Sequence, residues 1–290
     1  MCIRDSQKSV SMVRLLKSHI ERCEKKLALQ EEALTAAAKM ETYRRAGDAI
    51  NANLFLLQKG MKQAELPDFY DENGGTITVQ LDDTLSPAQN AQKYFKKYQK
   101  ARSAREIAAE QKEKTLSELN LLEGALLDVD KCETESDLDE IRQSLVEAGY
   151  MKRITNRREK RALPESSVLR FVSSDGIEIH VGKNAAQNEK LTAAARPNET
   201  WLHAKDMPGS HVIIRTEGDV PPTTLKEAAL LAAWYSKGQH GSHVPIDYTL
   251  RRYVKKPGGS PTGFVIYTHQ RTAYMTASEA DIRAIRSVKP

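Results

Sequence analysis

The sequence predicts an α+β protein, in which a long antiparallel coiled-coil hairpin with a small tip precedes a compact α+β domain. Two observations carry this prediction. In the first half, apolar residues recur at alternating spacings of three and four, which is the rhythm of a coiled coil. From Leu169 onward the pattern changes to short β-rich runs around one amphipathic helix. We therefore expect a hairpin over 1–134, a short helix with a basic linker over 135–165, and the α+β domain over 166–290.

The first helical arm has an apolar seam that predicts pairing with another helix. The seam consists of Val13, Leu16, Ile20, Cys23, Leu27, Gln30 and Leu34. The helical pattern continues to Leu57, and Lys59-Gly60 then provides a basic last turn and a stop. A second long helix begins near Ser86-Pro87, since proline fits the first helical turn. Its seam is clear at Leu119, Leu122, Leu126 and Val129 and is weak and alanine-rich between Ala101 and Thr115.

Two long arms around a short non-helical segment predict an antiparallel hairpin. Two independent helices, each packed on another body, are the alternative. The tip, residues 66–85, contains Pro67, Phe69 and Tyr70, and the turn Asn73-Gly74-Gly75 leads into a strand. We expect this tip to be a protein-contact knob, the alternative being that it only closes the hairpin.

The junction after the hairpin consists of a short helix and a linker. The helix is predicted from Ser136, with Asp139 as its capping partner, to Gly149. Residues 151–165 then carry six Lys and Arg against two Asp and Glu. This stretch ends near Pro164 and is typical of a basic linker.

The α+β domain is predicted from five β-rich runs and one helix. The runs are Leu169–Val172, Ile177–Val181, His211–Arg215, Phe264–Tyr267 and Thr272–Thr276. In the helix, Thr224 and Glu227 form a capping box and Gly238 marks the end. Its inward positions are Leu225, Ala228, Ala229, Ala232 and Tyr235. Pro208-Gly209 is expected to be a turn between two strands.

Charge and cysteine usage restrict the possible functions. Residues 1–150 carry 22 Lys and Arg against 26 Asp and Glu, whereas residues 166–290 carry 16 against 11. A basic C-terminal region suggests a polyanion partner, although a solvated surface with slight excess charge explains the numbers equally well. The three cysteines form no metal-spaced pair, which favours a reducing cytosol. No apolar stretch approaches 18 residues, so no membrane span is expected.

One segment concentrates the chemically active side chains. It contains Trp201, His203, Lys205, Asp206, Ser210 and His211 around the predicted turn. Strand alternation places Trp201, His203 and Lys205 on one face. Two other interpretations are weak: no cysteine or suitably placed carboxylate completes a zinc site, and Asp206, His203 and Ser210 are too close in sequence for a catalytic triad. A second segment, with Arg251, Arg252, Lys255 and Lys256 around Tyr253, suits phosphate contacts and base stacking, or is simply an exposed basic loop.

These segments resemble the NFACT family. The resemblance rests on Glu199–Val212, Ser173–Gly176, Val181–Asn184 with Asn188, Asp247–Thr249, Val254–Pro257 and Gly263–Tyr267. In the hairpin, Gly47–Leu54 and Pro87–Lys100 are similar to the corresponding family segments. Glu199 stands where the family usually has aspartate, and Ser260-Pro261-Thr262 replaces a common lysine–proline pair. The family's N-terminal domain and helix-hairpin-helix module are not found, so we expect a C-terminal portion of such a protein.

The resemblance implies a cytoplasmic ribosome-associated quality-control factor that binds tRNA and the obstructed large ribosomal subunit. Its implied partners are tRNA, rRNA, a stalk-base protein and the peptidyl-tRNA complex, and its implied role is to support untemplated tailing of stalled chains. The ribosome would catalyse peptide transfer, so neither enzymatic activity nor a cofactor or metal is expected. A surface adhesin of fibronectin-binding type is the alternative. The predicted RNA-site residues are Lys183, Asn184, Asn188, Trp201, His203, Lys205, Asp206, Ser210, His211, Arg251, Arg252, Lys255 and Lys256.

Overall fold

A computed structural model describes residues 7–152 and 167–288, which form two structural units. The arm unit is Arg22–Glu118, and the base unit combines Met1–Glu21 with Leu119–Pro290. The predicted linker falls almost wholly on residues 153–166, outside the described ranges. Within those ranges, no helix is both long enough and apolar enough to cross a bilayer.

The helices of the first half are α1 (Gln7–Ala37), α2 (Met40–Ala52) and α3 (Pro87–Asp130). In the arm unit, α1 and α3 run antiparallel, because successively later residues of α1 contact successively earlier residues of α3. Lys26 Nζ lies 3.5 Å from Glu118 Oε2, Gln30 Nε2 donates to Thr115 Oγ1 at 3.0 Å, and Lys112 Nζ lies 2.9 Å from Glu31 Oε1. These bonds confirm the predicted hairpin. The pattern predicted to continue to Leu57 is interrupted at residues 38–39, between α1 and α2.

A small core stabilises the end of the arm unit. Strands β1 (Gln63–Pro67) and β2 (Thr76–Gln80) pair antiparallel, and only β2 had been predicted. Leu66 and Val79 point from this hairpin into a cluster with Ile50 of α2, and all three are at most 2% exposed. The tip segment is therefore a packed β-hairpin, not an irregular loop.

In the base unit, α4 (Glu135–Glu147) begins before the predicted Ser136. Thr134 is its N-cap: the Thr134 hydroxyl accepts from Asp137 N at 3.2 Å, and Asp137 Oδ2 accepts from Thr134 N at 2.9 Å. The predicted capping pair of Ser136 and Asp139 is thus wrong by two positions. The same capping logic, applied one Ser/Thr earlier, identifies the true start.

A seven-stranded antiparallel sheet forms the body of the base unit. Its order is β10-β7-β5-β6-β4-β3-β11, and β8 and β9 form a separate two-stranded hairpin. The strands are β3 (Leu169–Val172), β4 (Glu178–Val181), β5 (Thr200–Ala204), β6 (Val212–Ile214), β7 (Val244–Leu250), β8 (Val254–Lys255), β9 (Ile266–Tyr267), β10 (Arg271–Met275) and β11 (Arg286–Val288). The five predicted runs all contain strands, while β7, β8 and β11 were not predicted.

One face of this sheet is covered by helix α6 (Pro222–Trp234). Alternate strand residues such as Leu202, Val212 and Ile246 meet the alanine-rich face of α6 and are fully buried. The predicted capping box of α6 is wrong. The Thr224 hydroxyl instead donates to Asp175 Oδ2 at 2.7 Å, and Glu227 accepts from the Ser174 backbone at 2.9 Å. These bonds attach α6 to the β3–β4 turn.

The other face of the sheet is covered in part by α5 (Ala185–Ala194), which had not been predicted. The Asn184 side chain caps it by accepting from Gln187 N at 2.9 Å. The remaining helix, α7 (Glu279–Ala284), lies between β10 and β11.

Candidate nucleic-acid interface

The signature segment forms the two adjacent central strands β5 and β6 with the turn between them. Alternation in β5 places Leu202 and Ala204 on the α6 face and Trp201 and His203 on the opposite face. Lys205 follows the end of the strand and is exposed. The prediction that Trp201, His203 and Lys205 share a face is confirmed for Trp201 and His203 and is wrong for Lys205, because β5 ends at Ala204.

Trp201 is the centre of an aromatic cluster. It is fully buried, and its ring lies 5.7 Å from His203 in a stacked arrangement, 5.2 Å from His211 edge to face, and 4.8 Å from Tyr267. His203 and His211 are themselves 5.3 Å apart. Trp201 is thus a core residue, and its predicted RNA contact is corrected because the side chain is fully buried and no ring face is accessible.

His211 is held by hydrogen bonds from α5. Its Nδ1 lies 2.7 Å from the Thr192 hydroxyl, and its backbone N–H donates to Asn188 Oδ1 at 3.0 Å. The Asn188 amide in turn donates to the Gly209 carbonyl at 3.3 Å. Both His211 and Asn188 are buried, so they position the β5–β6 turn and are not available to RNA.

Burial keeps both histidines neutral. Desolvation lowers the pKa of His203 to about 4, and the backbone of Gly209 opposes part of that effect. Desolvation, followed by the nearby His203 ring, also lowers the pKa of His211 well below its ordinary range. Near neutral pH neither imidazole supplies a positive charge for a phosphate. His203 remains partly exposed, so its RNA contact stays a prediction. That contact would be made by a neutral imidazole.

Lys183 is buried in an ion pair and is not a surface cation. Its side chain is 4% exposed, and its Nζ lies 2.8 Å from Oδ1 of Asp137, the N3 residue of α4, whose side chain is 1% exposed. The predicted phosphate contact at Lys183 is corrected accordingly. The Asn184 amide donates to Glu140 Oε2 at 2.9 Å, so it too joins α4 to the sheet domain.

Ser210 is also buried among contacts between the sheet domain and the preceding helices. Its hydroxyl accepts from Lys131 Nζ at 3.0 Å, and Lys131 lies 2.7 Å from Asp128 Oδ1. Burial is the main cause of the raised pKa of the Asp128 carboxyl, and the nearby Lys131 ammonium lowers that pKa in part. Ser210 is fully buried, so its interpretation as an RNA contact is also corrected.

The β5–β6 turn leaves two of the predicted residues at the surface. Lys205 and Asp206 are exposed, and Asp206 has a φ of 53°, a left-handed conformation that aspartate tolerates better than most residues. Within the described ranges, Lys205 has no carboxylate at ion-pair distance. Their RNA contacts stay predictions.

The basic hairpin, residues 251–269, presents most of the remaining predicted residues. Arg251 anchors it, since its Nε donates to the Thr192 carbonyl at 2.6 Å and its backbone N–H to the Glu199 carbonyl at 2.8 Å. Arg252 is exposed and lies 5.0 Å above the Tyr253 ring. Tyr253 stacks on His269 with a centroid distance of 4.3 Å. A cation therefore lies beside a partly exposed aromatic stack.

The outer surface of the basic hairpin combines cations with apolar side chains. In β8, Val254 points into the Trp201 core and Lys255 points outward. Lys255 pairs in register with Ile266, which is 52% exposed, and Phe264 is 50% exposed. Lys256 is partly neutralised by Glu189, whose Oε2 lies 2.6 Å from its Nζ. Among residues 7–152 and 167–288, Lys255 has no carboxylate at ion-pair distance. An exposed cation contacts a phosphate and an exposed ring stacks an unpaired base, and this hairpin presents both kinds of group.

Two buried carboxylates of this region had not been predicted. Asp247 accepts hydrogen bonds from the Tyr267 hydroxyl at 2.9 Å and from the Thr272 hydroxyl at 2.6 Å. Burial and this carboxylate raise the pKa of Tyr267. Glu199, noted earlier as the substitute for aspartate, is 3% exposed and pairs with Arg215 at 2.6 Å. Alternation in Asp247-Tyr248-Thr249 is the signal that places Asp247 on the Trp201 face.

No metal centre is formed by the described residues. Among residues 7–152 and 167–288, no group of three or more His, Cys, Asp or Glu side chains is placed to hold an ion. Asp206, His203 and Ser210 do not form a hydrogen-bonded chain, because Ser210 bonds to Lys131. The arrangement is suited to binding through exposed cations and rings.

Two family profiles match most of the chain. The profile described as NFACT N-terminal and middle domains matches residues 4–163, and the one described as NFACT protein RNA binding domain matches residues 167–268. The boundary between the two matches coincides with the basic segment after α4.

Individual proteins are similar along nearly the whole chain. The Rqc2 homolog RqcH of Bacillus subtilis (strain 168) is 37% identical over 275 residues, covering 94% of this chain and 48% of the relative. The Rqc2 homolog RqcH of Streptococcus suis (strain 05ZYH33) is 35% identical over 286 residues, covering 98% and 50%. The chain thus spans about half the length of these curated relatives.

A solved structure of similar sequence has the same fold. It is the C-terminal part of the fibronectin/fibrinogen-binding protein from Streptococcus suis, with a TM-score of 0.70 and 30% sequence identity. The match covers 97% of this chain and 100% of that one.

Proposed function

The chain belongs to the NFACT family, and from this premise we propose that it acts in ribosome-associated quality control as an RNA-binding component. The similarity to two proteins named Rqc2 homolog supports this role. So does the match of residues 167–268 to an RNA-binding domain.

The finer proposal is that the chain works in the cytoplasm, where it holds tRNA at the obstructed large ribosomal subunit during untemplated tailing of a stalled chain. Peptide transfer would be catalysed by the ribosome. The buried, neutral histidines support a binding role, since a catalytic base must reach the reacting proton. The chain would therefore bind and position RNA without turning over a substrate.

One observation carries the proposal most directly: the basic hairpin exposes Arg252 and Lys255, and Arg252 lies beside the stack of Tyr253 on His269. Lysine and arginine neutralise phosphates and release counterions. Aromatic rings stack unpaired bases with little sequence preference. Structured RNA with unpaired bases offers both kinds of group.

The test uses the full chain with Arg252→Gln and Lys255→Gln together, binding a tRNA transcript over a range of salt concentrations. We expect roughly tenfold weaker binding at low salt and a log–log salt slope shallower by about 1 to 2, because two phosphate contacts are lost. Arg170→Gln with Lys226→Gln removes one exposed arginine and one exposed lysine elsewhere in the base unit and is the matched control. Equal losses in both double variants would refute the assignment to the basic hairpin.

A second candidate function is adhesion to matrix proteins. It is favoured by one observation, the name of the similar solved structure from Streptococcus suis. Saturable binding of the purified chain to immobilised fibronectin, unaffected by excess tRNA, would support it. Loss of that binding when tRNA is added would show that fibronectin only contacts the RNA-binding surface.

A further inference from the structure

The acidic character of the first half of the chain is not uniform. From Thr84 to Arg105 the sequence contains six Lys and Arg and no Asp or Glu. The rest of residues 1–150 carries 16 Lys and Arg against 26 Asp and Glu. A strongly basic segment is therefore embedded in an acidic hairpin, and it extends from just before α3 through about the first five turns of that helix.

The helix gathers four of these cations on one face. At about 100° per residue, Lys93, Lys96, Lys97 and Lys100 fall within an arc of about 100° and span about 10 Å of the axis. All four are exposed. We call this set the lysine face.

Packing on the opposite side of α3 fixes the orientation of the lysine face. Phe95 lies against Gly47 of α2, where an added Cβ would approach the ring to 3.0 Å. Tyr94 packs into the same arm-unit core. Because this close approach leaves no space for rotation of the helix, the lysines are held outward.

Within the part of the chain that the structure describes, one of the four lysines of the lysine face forms an ion pair. Lys93 pairs with Asp82 at 2.7 Å. Lys97 lies 5.2 Å from the Tyr94 ring and 5.7 Å from the Tyr43 ring, which leaves its charge in place. Among residues 7–152 and 167–288, Lys96 and Lys100 have no carboxylate within ion-pair distance.

We propose that the lysine face is a second RNA-binding surface, which contacts the phosphate backbone of structured RNA without reading its bases. Protein–protein interfaces are depleted in lysine and centre on aromatic or arginine anchors, and this face has none. A membrane-surface helix needs an exposed apolar side, whereas the apolar side of α3 is packed against α2. Regularly spaced phosphates match a row of compact point charges.

This proposal is independent of the basic hairpin. The lysine face lies in the arm unit and the basic hairpin lies in the base unit, so each can fail while the other holds.

The test substitutes Lys96→Gln and Lys100→Gln in the full chain, because glutamine keeps the helix propensity of lysine. Lys17→Gln with Lys25→Gln removes the same charge from exposed helical positions of α1 and is the matched control. Binding to a fully base-paired RNA hairpin is measured against salt concentration. We expect the Lys96/Lys100 variant to bind about tenfold more weakly with a salt slope shallower by about 1 to 2, and the control to stay within about twofold of wild type.

Lysine acetylation read by mass spectrometry locates the contact. RNA should protect Lys96 and Lys100 and leave Lys17 and Lys25 reactive. Equal affinity losses in the two double variants, or no protection, would overturn the proposal. Protection of Lys96 and Lys100 by anionic lipid vesicles or by polyglutamate, and not by RNA, would assign the face to a membrane or to an acidic protein instead.

Discussion

Acid destabilisation of the base unit follows from the partly buried His203. Its pKa is lowered from 6.5 to about 4 by burial, so the unfolded chain takes up a proton at a higher pH than the folded protein does. Stability from His203 is therefore complete above pH about 6.5 and is lost as the pH falls toward about 4. At about 1.36 kcal/mol per pKa unit, the full effect is about 3 kcal/mol, of which about 2 kcal/mol is lost by pH 5.

The variant His203→Phe isolates this effect, because phenylalanine keeps a flat ring beside Trp201 and does not titrate. Urea unfolding is followed by tryptophan fluorescence at pH 7 and pH 5, and both tryptophans, Trp201 and Trp234, lie in the base unit. Between the two pH values, wild type should lose about 2 kcal/mol more free energy of unfolding than the variant. Carboxylates titrate in both proteins and cancel in this difference. Equal losses in both proteins would refute the buried, neutral assignment of His203.

Two further predictions concern the junction and the tip. Lys183→Met leaves the Asp137 carboxylate buried without its cation and should lower the free energy of unfolding by about 3 to 5 kcal/mol at pH 7. Urea titration measures this free energy. A loss below about 1 kcal/mol would show that the ion pair is dispensable for stability. The tip was expected to be a protein-contact knob, and Phe69 is 65% exposed there. Phe69→Ser should therefore preserve the fold and weaken binding to isolated large ribosomal subunits. Leu29→Ser, at a residue 67% exposed on an arm, is the matched control, and unchanged subunit binding by the Phe69 variant would remove the tip as an anchor.

Local features of the fold were predictable because their causes are local. The spacing of Leu16 and Cys23 is enough to mark the seam of α1, and both are buried. Pro87 begins α3 as expected, since its fixed φ suits a first helical turn. The capping errors at Ser136 and Thr224 have one origin: a Ser or Thr side chain can cap a helix or bond elsewhere, and only the neighbouring chain decides which. At Thr224 that neighbour is Asp175, 49 residues away.

In the candidate site, too, features with local causes were predictable from the sequence and features that depend on distant residues were not. The sequence by itself determined which chemical groups gather around β5, because alternation places Trp201 and His203 together, and it identified the exposed cations Arg252 and Lys255. Only the tertiary structure decided that Lys183 is buried against Asp137, 46 positions earlier, and that Tyr267 covers Trp201. Burial depends on which distant elements cover a sheet face, and no local spacing records that. The sequence alone does not distinguish a lysine that faces solvent from one that pairs with a buried carboxylate. The packing of α4 and α5 on the sheet decides between the two.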